Sequence, residues 1–280
     1  MRILLTGGQG QLGRALQAAL VDHELLPLGH REMDITDTAA VRERAEGFRP
    51  DIVINAAAWT DTAACEANPE RAHLVNGEGA RHLAEACVRK GAALLQLSTN
   101  EVFDGQKAIP YAEDEEPNAI NHYARSKLAG ERYVRSIVER HYIVRTAWLY
   151  GAGRTSFPEK IAQAARQGGA LKVVTDEVAS PTWTVDLAAA IARLIERPAY
   201  GVYHLTNGGY CSRYQWAKLA LQLVGLGDVP VEPTTQAEFG AAPRKPPFSA
   251  LTNRNAARLG IELRPWEEAL RAYLAEGREA

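Results

Sequence analysis

The hydrophobic and polar positions of the first half of the chain alternate between strand and helix patterns. Short apolar runs, each typical of a buried strand, lie at 2–6, 25–28, 51–55, 93–98 and 142–146. Apolar residues at helical spacing between them predict helices near 12–20, 41–48, 69–90 and 123–139. Pro27 places the second strand near a sheet edge, because proline cannot donate to a central ladder. This alternation predicts a doubly wound, Rossmann-like α/β fold with a parallel sheet.

The alternation loosens after Gly151, and the second half is predicted to be a smaller, mixed α/β domain. Its pattern predicts helices at 158–167, 183–196, 212–224 and 269–274, strands at 171–174 and 202–205, and a proline-rich loop at 230–247. We therefore expect a dinucleotide-binding domain over residues 1–150, which also receives 170–180. A substrate domain is expected over residues 151–280.

Composition and charge restrict the class of protein. The 280 residues carry 32 basic and 34 acidic side chains, a net charge of −2, and no basic block, so nucleic acid is not expected as a partner. The sequence has no run of 18 apolar residues, the length that a membrane span needs, and Ile3–Leu5 is too short for a signal peptide. The three cysteines, Cys65, Cys87 and Cys211, share no metal-ligand spacing and are too few for a disulfide framework. We therefore expect a cytoplasmic protein.

A glycine-rich turn, TGGQGQLG at residues 6–13, joins the first strand to the first helix. Glycines allow a tight turn and let the backbone approach a pyrophosphate at the positive end of the helix. The strand before the turn and the helix after it favour a dinucleotide site over an ordinary turn. About 20 residues further on, where NAD-specific sites carry an acid, stand His30 and Arg31, followed by Glu32. These cations suit a 2′-phosphate, so we expect NADPH to bind at least as well as NADH; solvated loop charges are the alternative.

Tyr123 and Lys127 are one helical turn apart and therefore share a helix face. A neighbouring ammonium favours the phenolate and lowers the pKa of a tyrosine from its usual value of about 10. The same spacing recurs at Tyr214 and Lys218. Tyr123, however, follows Thr99, a hydroxyl at the carboxyl end of a predicted parallel strand, where open α/β sheets bind ligands. We interpret the first pair as catalytic and Tyr214 as a packing residue.

Longer motifs accompany these residues along the chain. They are NAAA at 55–58, STNEVFDG at 98–105, SKLAGE at 126–131, RTAWLYG at 145–151 and SPTWT at 180–184. Together with the glycine turn and the set of Thr99, Tyr123 and Lys127, they resemble the extended short-chain dehydrogenase/reductases. Within that superfamily the chain resembles the dTDP-4-dehydrorhamnose reductase family, from residue 1 to about residue 205.

The resemblance implies that NADPH or NADH reduces the 4-keto group of dTDP-4-dehydro-L-rhamnose to give dTDP-L-rhamnose. Thr99 would hydrogen-bond the substrate carbonyl, Tyr123 would protonate it and Lys127 would tune the phenol, while Trp148 would flank the sugar. The residues implied to hold the cofactor are Gly7, Gly10, Gln11, Leu12, Gly13, Arg31, Asp34, Ile35, Ala56, Ala57, Tyr123 and Lys127. A helix cap for Asp34 and a core position for Trp148 are the structural alternatives.

Two further properties follow from the resemblance alone. Magnesium has a place in some members of the family, but no carboxylate set in this sequence suggests a site for it. A homodimer is an expectation of the same kind. The partner expected from the resemblance is a small-molecule nucleotide sugar, with neither nucleic acid nor a membrane.

The chain departs from the family pattern at three places. Ala63 stands where the family usually has aspartate, Asn100 and Glu101 replace aspartate and tyrosine, and the family's Arg-Pro-x-x-Ser pattern is only echoed at 244–249. Two alternatives to a reductase therefore stay open. One is a non-catalytic, cofactor-binding regulatory subunit of the methionine adenosyltransferase type, and the other is a nucleotide-sugar epimerase.

Overall fold

A computed structural model describes residues 1–240 and 243–279. The strands are β1 (Arg2–Thr6), β2 (Glu24–Leu28), β3 (Ile52–Asn55), β4 (Ala93–Thr99), β5 (His141–Thr146), β6 (Leu149–Tyr150), β7 (Leu171–Val174), β8 (Val178–Ala179), β9 (Thr182–Trp183), β10 (Gly201–His204), β11 (Cys211–Ser212) and β12 (Val231–Thr234). The helices are α1 (Gln11–Ala19), α2 (Thr38–Phe48), α3 (Thr62–Ala67), α4 (Pro69–His73), α5 (Gly79–Lys90), α6 (His122–Ile137), α7 (Phe157–Arg166), α8 (Thr184–Ile195), α9 (Arg213–Leu223), α10 (Gln236–Phe239), α11 (Arg254–Arg258) and α12 (Trp266–Glu279). A π-helical segment, Leu74–Glu78, joins α4 to α5, and a 3-10 turn, Asn100–Val102, follows β4.

Six parallel strands form the central sheet in the order β10-β5-β4-β3-β1-β2, which confirms the doubly wound α/β class. Strand β2 is at an edge, where Pro27 is tolerated. The chain runs outward from β1 to β2 and then returns to the other side of β1 to form β3. The loops after β1 and β3 therefore diverge, and a crevice opens between them at the carboxyl edge of the sheet.

Both faces of the sheet are covered by helices. Leu5 and Ile54 point to one face and pack in a core with residues of α1 and α8. Leu4 and Val53 point to the opposite face and pack in a second core with residues of α2 and α5. Because nearly every position of β1, β3, β4 and β5 is buried, these strands read as continuous apolar runs rather than as alternating patterns. Each such side chain contributes about 1.5–3 kcal/mol of burial free energy.

The second half differs from the expectation in which of its strands joins the central sheet. Strand β7 pairs with β12 in a separate two-stranded sheet, whereas β10 pairs with β5 and becomes the sixth central strand. Strand β7 is therefore not part of the central sheet, while the assignment of residues 170–180 to the dinucleotide-binding domain stays a prediction. Both strands are short apolar runs, and such a run does not specify its partner. The boundary near residue 150 stays a prediction.

The predicted loop at 230–247 contains regular structure, namely β12 and the short helix α10. Helices α3 and α11 also lie outside the predicted elements. None of the helices within residues 1–240 and 243–279 has both the length and the apolar character needed to cross a membrane.

Candidate active site

A groove of about 550 Å³ lies at the carboxyl ends of β1 and β3. Gly7 and Gly10 line it on the β1 side, and Ala56 and Ala57 line it on the β3 side. A Cβ at Gly7 would lie 2.7 Å from the carbonyl of Ala56, and Gly7 has φ +68°, in the left-handed region. The narrow approach of the two loops therefore requires glycine at residue 7. Four small residues leave room for a ligand to contact the backbone, which fits the pyrophosphate and ribose of a dinucleotide.

Gln11, Leu12 and Gly13 contribute backbone and packing rather than side-chain contacts with the groove, which Gln9 also lines. Leu12 is buried in the core beneath the sheet. Gly13 packs so closely that a Cβ would lie 2.2 Å from the carbonyl oxygen of Gly7. The Gln11 side chain donates to the carbonyl oxygen of Gly151 at 2.8 Å, and so it links α1 to the loop after β6. The N–H groups of the first turn of α1 still provide a positive end for an anion.

Asp34 and Ile35 line the end of the groove beyond β2, together with His30. The Asp34 carboxylate accepts hydrogen bonds from the backbone N–H of Thr36 at 2.9 Å and from its hydroxyl at 2.8 Å. Burial raises the pKa of Asp34, but these hydrogen bonds and the nearby His30 outweigh it and leave the pKa below its usual value. Arg31 is exposed and lies outside the residues that line the groove, so its contact with a 2′-phosphate stays a prediction.

Three residues that the sequence analysis missed help to form this groove. The guanidinium of Arg71 lies 4.8 Å from the centre of the Trp59 ring, and both residues line the groove. Asn76, in the π-helical segment, accepts from the Trp59 N–H at 2.8 Å and donates to the Ser126 hydroxyl at 2.9 Å. Asn76 therefore fixes the loop after β3 to α6. Short π-helical segments are frequent at functional sites, but Asn76 shows no sequence signal because its partners are 17 and 50 residues away.

Thr99 and Tyr123 lie at the same edge of the sheet, at the end of β4 and in the first turn of α6. Helix α6 begins there because the Asn121 side chain accepts from the Ala124 N–H at 2.8 Å, as an N-cap does. Tyr123 is half-buried, and a hydrogen bond with the Thr99 side chain lowers the pKa of its phenol. A hydroxyl and a phenol that converge at a sheet edge are suited to bind and protonate a carbonyl oxygen.

The net pKa of Tyr123 is nevertheless raised, which differs from the expectation based on its spacing from Lys127. Burial is the main cause, and the carboxylate of Glu101 adds to it. The Lys127 ammonium, 3% exposed, donates instead to the carbonyl oxygen of Leu97 at 2.6 Å. Burial lowers the pKa of Lys127 to about 8, against the opposing effect of Glu131. The phenol is therefore neutral over the physiological range, and this is the form that donates a proton.

A buried charge network lies behind Lys127. Glu131 and Arg145 are each 1% exposed, and the Arg145 Nη2 donates to Glu131 Oε2 at 2.7 Å. The Ser98 hydroxyl donates to the other carboxylate oxygen at 2.5 Å. Glu131 therefore forms a buried ion pair with Arg145, and its carboxylate lies next to the buried lysine, whose pKa it raises against the effect of burial. The second tyrosine–lysine pair, Tyr214 and Lys218, lacks a buried lysine of this kind, because Lys218 is exposed and lies 5.8 Å from the Tyr214 ring.

Trp148 lies between β5 and β6 in a strained conformation, with φ +43°. Its ring stacks on Trp216 at 5.5 Å, and the Arg213 guanidinium lies 3.7 Å from the ring centre. Arg213 is in turn paired with Glu177 at 3.1 Å. A tryptophan held at a positive φ costs free energy and is found where surrounding contacts fix it, often at functional sites. Trp148 is half-buried, so part of it is accessible to a ligand.

The departures from the family pattern at the end of β4 contact the C-terminal part of the chain. Asn100 donates to the Ser249 hydroxyl at 2.7 Å. Glu101 accepts from Lys245 at 2.9 Å. Ala63 is exposed on α3. Two of the altered side chains, those of Asn100 and Glu101, therefore bind the C-terminal part of the chain.

Magnesium does not fit the side chains of this site. Within residues 1–240 and 243–279, no three or more His, Cys, Asp or Glu side chains come together in a group that could hold a metal ion. The carboxylates near the groove are already engaged, as Asp34 is with Thr36 and Glu101 is with Lys245.

These features define a Rossmann-like protein with a dinucleotide-sized groove and a tyrosine–lysine pair beside it. The family described as the RmlD substrate binding domain matches residues 1–279, and the chain belongs to this family.

Relatives and solved structures agree over nearly the whole length. A dTDP-4-dehydrorhamnose reductase from Streptomyces griseus is 41% identical over 280 residues, which cover 96% of this chain and 91% of the relative. The crystal structure of a dTDP-4-dehydrorhamnose reductase from Clostridium acetobutylicum matches with a TM-score of 0.95 at 38% identity, covering 99% and 100% of the two chains. That from Bacillus anthracis, in complex with NADP, matches with a TM-score of 0.95 at 34% identity, covering 98% and 99%. The resemblance expected from the motifs is confirmed.

Proposed function

We propose that this protein reduces dTDP-4-dehydro-L-rhamnose to dTDP-L-rhamnose with NADPH or NADH. The observation that carries the proposal is the neutral, half-buried Tyr123 phenol, hydrogen-bonded to Thr99 at the same carboxyl edge of the sheet as the groove. The names of the relatives and the NADP in the Bacillus anthracis structure support both the substrate and the cofactor. Residues 1–150 would bind the dinucleotide and residues 151–280 the sugar nucleotide.

The residues of the site divide the chemistry between them. The dinucleotide, when bound, supplies the hydride that is added to the carbonyl carbon of the substrate. Thr99 and Tyr123 hydrogen-bond the carbonyl oxygen and orient it, which lowers the barrier by positioning. As negative charge develops on that oxygen, the Tyr123 phenol transfers its proton to it, and the product is an alcohol. Lys127, buried and next to Glu131, would stabilise the tyrosinate left behind. To hold the ribose hydroxyls as well, its ammonium would turn away from the carbonyl oxygen of Leu97.

The cofactor and the sugar nucleotide would bind on opposite sides of Thr99 and Tyr123. The pyrophosphate and ribose of the cofactor would be held by Gly7, Gly10, Ala56 and Ala57. The backbone of Gln11, Leu12 and Gly13 would contact the pyrophosphate at the positive end of α1. The adenosine end would be bound by Asp34, Ile35 and Arg31. Trp148, fixed by Trp216 and Arg213, would flank the sugar. The homodimer stays a prediction, which light scattering tests.

The direct test of this function is NADPH oxidation by keto-sugars. Purified protein is mixed with NADPH and dTDP-4-dehydro-L-rhamnose, or with the corresponding UDP- or GDP-linked sugar, and the loss of NADPH absorbance is followed. We expect turnover that is fastest with the dTDP-linked sugar. Cofactor binding without any oxidation would contradict the proposal and favour the regulatory-subunit alternative. NAD that stays bound through purification would favour the epimerase.

A further inference from the structure

Residues 243–249, which we call the covering segment, lie across the carboxyl end of β4 and the start of α6. The Asn100 amide donates to the Ser249 hydroxyl at 2.7 Å. The Asn121 amide donates to the carbonyl oxygen of Arg244 at 3.3 Å. The covering segment is thus bound to the two elements that carry Thr99 and Tyr123.

Glu101 connects the covering segment and α6 through a single carboxylate. Its Oε1 accepts from the Lys245 ammonium at 2.9 Å, and its Oε2 accepts from the Asn121 amide at 2.9 Å. The side chains of Glu101 and Lys245 are 14% and 21% exposed, so the ion pair is largely shielded from solvent. Asn121 uses its other amide atom to cap α6, two residues before Tyr123. A displacement of the carboxylate would therefore move the first turn of the helix that carries the phenol.

We propose that Glu101 is a positioning residue, which fixes the position of Tyr123 relative to the covering segment during the reduction proposed above. Glu101 acts through Asn121 and Lys245. The inference rests on the proposed function for its kinetic consequence, but the geometry of the carboxylate does not depend on which sugar is reduced. Because Glu101 and Lys245 are 144 residues apart, the ion pair also joins the two halves of the chain at the catalytic edge.

The same carboxylate also acts on Tyr123 through space. The groups that act on the phenol are Thr99 at the end of β4, Glu101 in the 3-10 turn that follows, and Cys65 from α3. Lys127 lies one turn further along α6 and donates to Leu97 instead. Burial raises the pKa of the Cys65 thiol to about 11, so that group is neutral. After burial, Glu101 is the largest cause of the raised pKa of Tyr123. A fixed negative charge here disfavours the phenolate and keeps the proton on the phenol until the carbonyl oxygen takes it.

Three variants separate the effect of the Glu101–Lys245 ion pair from the effect of the negative charge on Glu101. Glu101→Gln removes the charge and the ion pair but keeps the length of the side chain. Lys245→Met removes the ion pair and leaves the carboxylate in place. Glu115→Gln is the matched control, because Glu115 forms a partly buried ion pair with Lys107 at a distance from the site. Circular dichroism and the unfolding temperature establish that each variant is folded.

Two readouts are measured on all variants. Turnover of NADPH with the keto-sugar gives kcat and KM, and the resonance of ¹³Cζ-labelled tyrosine, assigned with Tyr123→Phe, reports the protonation of the phenol without any substrate. We expect kcat to fall about tenfold in Glu101→Gln and in Lys245→Met, with KM within about twofold, because the phenol is misplaced rather than the substrate lost. The phenol should ionise at lower pH in Glu101→Gln than in wild type, whereas Lys245→Met should not lower it.

The outcomes decide the role of Glu101 separately from the identity of the substrate. If Glu101→Gln matches Glu115→Gln both in kcat and in the pH at which the phenol ionises, Glu101 has no positioning role. If the wild-type protein oxidises no NADPH with any keto-sugar, the proposed function fails. The tyrosine resonance would in that case still show whether Glu101 controls the phenol, and an unchanged resonance in Glu101→Gln would overturn the inference.

Discussion

Replacing Gly13 by alanine tests how closely α1 must pack against the turn that forms the groove. A Cβ at this position would lie 2.2 Å from the carbonyl oxygen of Gly7 and 2.7 Å from the Cα of Gly8. Favourable contacts between such atoms begin at about 3.5 Å, so the overlap is about 1 Å with two backbone atoms at once. Because neither atom belongs to a flexible side chain, the helix and the turn have to move apart.

The expected cost is worked from this overlap. Overpacking against backbone atoms lowers the unfolding free energy by an amount at the upper end of the usual range, about 3 kcal/mol. Alanine in a helix otherwise gains about 0.5–1 kcal/mol over glycine. The net loss of unfolding free energy in Gly13→Ala is therefore about 2 kcal/mol, which lowers the Tm of a chain of this size by about 4–8 °C. Displacement of the turn should also weaken NADPH binding.

Calorimetry gives the Tm and isothermal titration gives the Kd for NADPH, with two other glycines as controls. A Cβ at Gly47, on α2, has no heavy atom within 4 Å, so Gly47→Ala should be neutral or slightly stabilising. Gly10 has an ordinary φ of −74° and lines the groove. A Cβ at Gly10 would lie 3.2 Å from the carbonyl oxygen of Gly7, so Gly10→Ala should lose less Tm than Gly13→Ala and should lose NADPH affinity. A Gly13→Ala protein with wild-type Tm and wild-type affinity would refute the reasoning.

Two further predictions concern cofactor choice and acid stability. Arg31→Ala should weaken NADPH binding by about tenfold and leave NADH binding unchanged, if the guanidinium meets a 2′-phosphate; equal losses measured by titration calorimetry would argue against it. Burial, and next the charge of Arg145, lower the pKa of His204 from 6.5 to about 3. Between these values the unfolded chain binds a proton that the folded protein does not, so unfolding free energy should fall by up to about 1.4 kcal/mol per pH unit as pH drops from 6.5. Urea titrations of wild type and His204→Gln at pH 7 and pH 5 should show that the unfolding free energy falls more between these two pH values in wild type. An equal fall in both proteins would contradict this.

Local patterns were sufficient for the parts of the fold that are decided locally. Continuous apolar runs predicted β1, β3, β4 and β5, because a sheet covered on both faces buries nearly every side chain of its inner strands. Pro27 predicted the edge position of β2 for a backbone reason that needs no knowledge of neighbours. Gly7 and Tyr123 were found because a turn before a helix and a one-turn spacing are short-range features.

Features that depend on distant contacts were not accessible in the same way. Strands β7 and β10 are similar apolar runs, and only packing decides that β10 joins the central sheet. The raised pKa of Tyr123 follows from burial and from Glu101, whereas spacing alone considered only Lys127. The ion pair of Glu101 with Lys245 spans 144 residues, and the φ of Trp148 is set by the rings packed around it. Such contacts appear only once the chain is folded.

The central claim is that the Tyr123 phenol protonates the carbonyl oxygen as hydride is added to the carbonyl carbon. Its most direct test is the turnover of Tyr123→Phe with NADPH and dTDP-4-dehydro-L-rhamnose, with Tyr214→Phe as the control for the other tyrosine–lysine pair. We predict that kcat of Tyr123→Phe falls by about 10²–10⁴-fold while the Kd for NADPH stays within about twofold. Tyr214→Phe should keep wild-type turnover. Wild-type turnover in Tyr123→Phe would contradict the account.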